Sequence, residues 1–193
     1  MICRPSPARP PRTPRIVWRP SRAIGSPDAG RLAGAVRLPR EGRDFFSWDW
    51  VGLRAPNRPG RRWGTAQLVR TILRVSHEYR AAHPPAARVG ISDLSRRVGG
   101  DFGPRFGKPG HASHQNGLDV DVLYPRLDRR ECAVRSWKDI DRPLAQDLVD
   151  RFIAAGATLV VVGARTGLTG TPGIVAYTPV YHGEHFHVRL SAP

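Results

Sequence analysis

The chain has 193 residues, which at ~150 residues per domain is one domain plus a tail, long enough to bury a core of its own. Lys and Arg number 31 against 16 Asp and Glu, a formal net charge of +15 that favours polyanionic surroundings such as nucleic acid, anionic lipid or acidic wall polymer. No stretch reaches the ~18 apolar residues of a membrane span, and two cysteines exclude a disulfide framework, a four-cysteine zinc site and a CxxC redox pair.

Residues 1–22 hold six prolines and six arginines and no carboxylate. Such a segment cannot bury enough apolar surface to fold alone and reads as a disordered basic arm. It lacks a 7–15-residue apolar stretch and so does not read as a signal peptide. With Cys3 inside this arm, the composition argues against a bridge between Cys3 and Cys132.

From Ala23 the composition becomes globular, and 23–193 reads as a single domain. Residues 23–64 are turn-rich with scattered aromatics, among them Trp48 and Trp50, which read as packing residues. Thr65 to His83 has a capping threonine and apolar residues at helical spacing (Leu68, Ile72, Val75, Tyr79), and Pro84-Pro85 stops it. A short strand is expected over 88–94 and a glycine-rich loop over 99–110. Period-two alternation marks a strand from Leu118 to Tyr124. A second helix over 143–155 carries Leu144, Leu148 and Phe152 on one stripe, between Pro143 and Gly156. Thr158–Val162 reads as a buried strand, 163–175 as a loop, and Phe186–Leu190 as the last strand. Short strands mixed with few helices predict an α+β fold: a small antiparallel sheet, flanking helices and long glycine- and proline-rich loops.

The chemistry concentrates in two windows. The first reads His111-Ala-Ser-His114-Gln-Asn-Gly117-Leu-Asp119-Val-Asp121, and the second His182-Gly-Glu-His185-Phe-His187-Val-Arg189-Leu190. Alternate residues of a strand share a face, so Asp119 and Asp121 point away from Leu118, Val120 and Val122. Likewise His185, His187 and Arg189 point away from Phe186, Val188 and Leu190. Two adjacent carboxylates repel unless a cation neutralises them or one holds a proton. Gly117 lets the chain turn so that His114 can meet Asp121. If the two strands are neighbours, their polar faces converge into two His and one Asp around one ion with a fourth position open, the arrangement of catalytic zinc. Each element alone also has an inert reading: His114 as a loop histidine, the HxH pair as chance, Asp119 and Asp121 as a solvated strand face.

These two histidine blocks resemble the penicillin-insensitive murein endopeptidases, of the zinc peptidase group that includes lysostaphin, the D-Ala-D-Ala metallopeptidases and the sonic hedgehog domain. The likeness is carried by residues 110–122 and 182–190, with weaker similarity at 23–30, 37–42 and 61–70. It spans roughly residues 23–193, and the basic arm and segment 125–142 depart from the family's pattern. The resemblance implies one Zn2+ held by His114, Asp121 and His187, with His111 as a further metal contact. It implies His185 as base or transition-state stabiliser beside the metal, with His182 as another site histidine. Asp119 is then expected to orient an imidazole, and Arg189 either to bind a substrate carboxylate or to form a structural salt bridge. The implied substrate is the peptide stem of peptidoglycan outside the cytoplasm, in the periplasm or cell wall, where +15 would also suit an anionic wall polymer. Cleavage of cross-links is the expected activity, with D,D- or L,D-carboxypeptidase action on stems as the alternative. A basic nucleic-acid-binding protein is the competing class, although no zinc-finger spacing, RNA-binding aromatic motif or helix-turn-helix is present. A metal-dependent binding module without catalysis is a third, weakened by the presence of His185 beside His187.

Overall fold

Two amphipathic helices supply the apolar layer on which the sheet rests. The computed structural model describes residues 2–106, 110–180 and 182–192. In chain order it has β1 (Arg4–Pro5), β2 (Arg22–Ser26), β3 (Ala29–Ala33), β4 (Val36–Arg37), β5 (Phe45–Ser47), β6 (Trp63–Gly64) and α1 (Ala66–Ala82). Then follow β7 (Val89–Ile91), β8 (Asp119–Leu123), β9 (Arg130–Glu131), α2 (Arg142–Ala154), β10 (Ala157–Gly163), β11 (Val175–Thr178) and β12 (His185–Leu190). The α+β class is as the sequence predicts.

Helix α1 starts where expected because the Thr65 hydroxyl accepts a bond from Leu68 N (3.1 Å), and it buries Leu68, Ile72, Val75 and Tyr79. Helix α2 is capped by Asp141, whose side chain accepts from Leu144 N (3.3 Å), and it buries Leu148, Val149 and Phe152. A six-stranded sheet runs in the order β11-β10-β12-β8-β7-β5. The inner pairs are antiparallel, as expected, but β10 with β11 and β5 with β7 are parallel. Parallel neighbours need a long crossover. Here α1 lies in the connection from β5 to β7, and the glycine-rich loop after β10 returns the chain to Val175, where a strand begins that the sequence does not predict.

The two faces of β8 and β12 have opposite fates. Val120, Val122, Phe186 and Val188 are fully buried in one core with Leu68, Ile72, Leu148 and Phe152. The facing residues Asp119, Asp121 and His187 are also buried, at 0, 1 and 6% exposure, so the polar face is the floor of a site and not a solvated strand surface. Trp48 packs as predicted, fully buried in a second cluster with Phe46, Leu123, Cys132 and Ala133.

The first residues are strapped to this framework. Cys3 and Cys132 form a disulfide with their Cα atoms 5.0 Å apart, which overturns the expectation from composition. The reason is tertiary: β1 pairs with β9, setting Arg4 opposite Glu131 and the two cysteines within bonding reach. The Glu131 carboxylate is fully buried and accepts from Arg4 Nε (2.9 Å) and from Arg88 Nε (2.7 Å) and Nη2 (2.8 Å). Farther along, the Ser21 hydroxyl accepts from Ala66 N at the start of α1 (2.6 Å). The segment expected to be a disordered arm thus meets the domain at several points.

Candidate active site

The site is built where three strands meet. β12 lies antiparallel to β8 with His187 opposite Asp121 and Arg189 opposite Asp119. On the other side of β8, Asp121 N donates to Asp93 O (2.9 Å) and Ser92 N to Asp121 O (2.8 Å). Asp121 and His187 from neighbouring strands and Asp93, two residues past β7, therefore come close together.

The loop before β8 adds two more imidazoles. Gly117 turns the chain with φ +79°, and a Cβ there would lie 2.7 Å from a Leu32 methyl. His114 itself has φ +69°, a conformation that non-glycine residues seldom take. It is held by two bonds: its N–H donates to Asp119 Oδ2 (2.9 Å) and its Nδ1–H to Leu94 O (2.6 Å). Because a carbonyl only accepts, the second bond puts the proton on Nδ1 and leaves the Nε2 lone pair free. Nε2 faces Asp121 Oδ1 at 3.3 Å. His111 is turned the same way by a different partner: Nε2 bonds Asp93 Oδ2 (2.8 Å), and Nδ1 stands 3.7 Å from Asp121 Oδ2.

The ligand atoms of His111, His114 and Asp121 all lie within 4.8 Å of one another, close enough to share an ion. His187 Nδ1 is 3.1 Å and His185 Nε2 3.8 Å from Asp121 Oδ1. Asp121 Oδ2 is buried and accepts no hydrogen bond among the described residues. A buried carboxylate oxygen without a donor is costly, and with His111 near Oδ2 and His114, His185 and His187 around Oδ1 the carboxylate is placed as a divalent cation requires.

All eight residues singled out in the sequence come together here. Asp119 links the two windows: its Oδ1 accepts from Arg189 Nε (2.7 Å) and meets His187 Nε2 (3.1 Å), while Oδ2 holds the His114 backbone. Arg189 is thereby committed to a salt bridge. The His182 ring lies 4.9 Å from that of His185, which rests against Trp50 at 5.2 Å. The two other histidines lie elsewhere, His77 against Asp44 and His83 against Asp147.

Electrostatics follow from this packing. Burial opposes ionisation of Asp121, yet the surrounding imidazoles hold it well below the usual carboxylate range; Asp119 is lowered too, by His187, His114 and Arg189. Burial would lower His187, but its bonds to Asp119 and Asp121 raise it to about 9. His185 goes the other way: burial, only partly offset by Asp121, lowers it to about 4, so it is neutral at pH 7.

The sequence reading missed the supports. Asp93 sits fully buried under His111, gripped by Arg61 through Nε (2.8 Å) and Nη2 (2.7 Å) and by Asn57 Nδ2 (2.9 Å). Burial would raise its pKa, and Arg61 and His111 bring it down to about 2. No local pattern marks these residues, which are brought together from distant parts of the chain. Asp93→Asn is expected to weaken divalent-cation binding about 10–100-fold, the usual cost of losing the carboxylate behind a ligating imidazole. Metal-buffer titration checks this. The same variant should lose acid sensitivity: Asp93 stabilises the fold above about pH 4, and this is lost as pH falls toward 2, on the order of 2 kcal/mol.

With this geometry in place, comparison with known proteins is informative. The family model described as penicillin-insensitive murein endopeptidase matches residues 23–152, which contain His111, His114, Asp119 and Asp121. Penicillin-insensitive murein endopeptidases of Salmonella paratyphi B, Salmonella newport and Salmonella heidelberg are each 35% identical over 131 residues. That span covers 68% of this chain and 41% of each relative, so the match takes in less than half the relatives' length. The family match stops before β12, and it is the β8–β12 ladder that sets His185 and His187 beside the matched residues. By sequence match across most of its length, the chain belongs to the penicillin-insensitive murein endopeptidase family.

Proposed function

We propose that this chain is a zinc-dependent endopeptidase that hydrolyses the peptide cross-links of peptidoglycan. The observation that carries the reading is the Asp121 carboxylate, buried with one oxygen undonated and ringed by imidazoles. His114 through Nε2, Asp121 and His187 through Nδ1 would hold the ion, with His111 Nδ1 as a further contact. When bound, zinc polarises a carbonyl and lowers the pKa of water toward ~7.

The remaining steps belong to the chain's own groups. His185 is neutral at pH 7 and close to Asp121, so its imidazole can accept a proton from the attacking water and return it to the leaving amine. Trp50 packs against that ring. His182 borders the same space and can donate to developing negative charge. Asp119 holds His187 by Nε2 and is itself held by Arg189, so Arg189 acts as a positioning residue. The Cys3–Cys132 bridge supports placement outside the cytoplasm, because disulfides persist in oxidising compartments.

The deciding experiment incubates zinc-loaded protein with purified cross-linked muropeptide dimers and follows the products by mass spectrometry. Conversion of dimers to monomers is expected. Loss of a terminal residue from intact stems would instead identify a carboxypeptidase, and hydrolysis that survives removal of the metal would refute the reading.

Zinc uptake should also be linked to protons. His187 has its pKa raised to about 9, so without a cation it is protonated at pH 7, and it must be neutral to ligate. Binding at pH 7 is expected to release about one proton, and apparent affinity should rise with pH up to about 9. Calorimetry in buffers of different ionisation enthalpy measures the number released.

A further inference from the structure

The basic segment before residue 23 has no part in the metal site, yet it builds one wall of a surface groove. This open groove of about 950 Å³ lies between residues 18–23 and the first turns of α1. Arg19 and Arg22 come from the segment, Arg70 and Arg74 from the helix, and among the described residues no Asp or Glu lines the groove. The guanidinium of Arg70 lies over the Trp18 ring at 4.8 Å. The side chains of Arg19, Arg22 and Arg74 make no hydrogen bond or ion pair among the described residues. The amides of Ala66 and Leu68 at the start of α1 are taken by Ser21 and Thr65, and the charge of the groove comes from its arginines.

Four cations around one concavity repel one another, and Arg70 and Arg74, one turn apart on α1, are a like-charge pair that weakens a helix. Anions between the walls would relieve this repulsion. Guanidinium forks match phosphate oxygens in pairs. Arg70 and Arg74 are separated along the helix axis by about 6 Å, of the order of the spacing between neighbouring phosphates in a phosphodiester chain. With two arginines on each wall of an open groove, the site suits a strand carrying repeated charges better than a single small anion.

We propose that this groove binds a linear phosphate-bearing polymer of the cell surface, holding the protein on its wall substrate. The disulfide favours such a polymer over cytoplasmic nucleic acid, and the choice of a wall polymer rests on the peptidase reading above.

The test measures binding of poly(glycerol phosphate) to the full chain by calorimetry at several salt concentrations, with an oligothymidylate of equal charge as comparator. A variant with Arg19, Arg22, Arg70 and Arg74 all changed to Gln is set against a control with Arg12, Arg43, Arg135 and Arg165 changed to Gln, which has the same net charge. The groove variant is expected to bind about 30-fold more weakly, with a log–log salt slope smaller by about 3, and the control less than 3-fold more weakly. In the wild type, the Trp18 indole N–H signal should shift on adding polymer, a readout that does not depend on how the variants fold. Asp121→Ala should bind the polymer unchanged, which separates this inference from the peptidase reading. Equal losses in both arginine variants, an unmoved Trp18 signal, or an oligothymidylate binding tenfold more tightly than the wall polymer would each overturn it.

Discussion

Asp121→Ala is expected to lower bound zinc from about one equivalent per chain to less than a tenth, and to reduce hydrolysis of muropeptide dimers by at least about 1,000-fold. The reasoning is electrostatic. Asp121 is the carboxylate on which the ring nitrogens of His111, His114 and His187 converge, and among the described residues its Oδ2 accepts no hydrogen bond. Removing it leaves a ring of imidazoles with no negative charge facing the ion. The Lewis-acid contribution is several kcal/mol, and each 1.36 kcal/mol is a factor of ten in rate. Folding should be spared, because the ladder on both sides of Asp121 is made by its backbone. Metal analysis by mass spectrometry, kinetics and a thermal melt in chelator together check the prediction. Full activity without metal would remove the basis of the proposed mechanism.

Replacing both Cys3 and Cys132 by Ala should lower stability by about 2–5 kcal/mol and the melting temperature by about 5–15 °C. The bridge closes 129 residues of chain, and the loop-entropy argument for a loop of that length allows about 5 kcal/mol as an upper figure. Its loss also frees Arg4 from Glu131. That buried carboxylate keeps Arg88 as its partner, so the core beneath it is expected to survive. The bridge shares its cluster with Leu123 of β8 and Trp50, but the residues proposed to hold zinc lie outside that cluster, and zinc content should not change. Urea denaturation of the double variant, alongside thiol counting on the parent, measures the effect. Two titratable thiols in the oxidised parent and an unchanged melting curve would contradict it.

Much of the fold was legible because local signals agreed with one another. Thr65, Pro143 and the apolar stripes of both helices mark elements whose ends depend on capping and φ restrictions within a few residues. Val175–Thr178 was not legible, since a short strand after a glycine-rich loop gains its stability from pairing with Val160–Gly163. The cysteine bridge was missed for a similar reason. Composition gives no sign that Arg4–Pro5 pairs with a two-residue strand at Arg130–Glu131, which brings the cysteines together.

The candidate site divides along the same line. Sequence by itself determined which side chains share a face, because a strand's two-residue period sends Asp119 with Asp121 and His185 with His187 whatever lies alongside. It also placed the chemistry in two windows and marked Gly117 as the turn between His114 and Asp121. Only the tertiary structure decided that those faces are neighbours with His187 opposite Asp121, and that Arg189 is spent on Asp119. It alone supplied Asp93, Arg61 and the Leu94 carbonyl, which aim His111 and His114. Those supports act through burial and hydrogen bonds between segments distant in the chain, and neither leaves a periodic trace in a linear sequence.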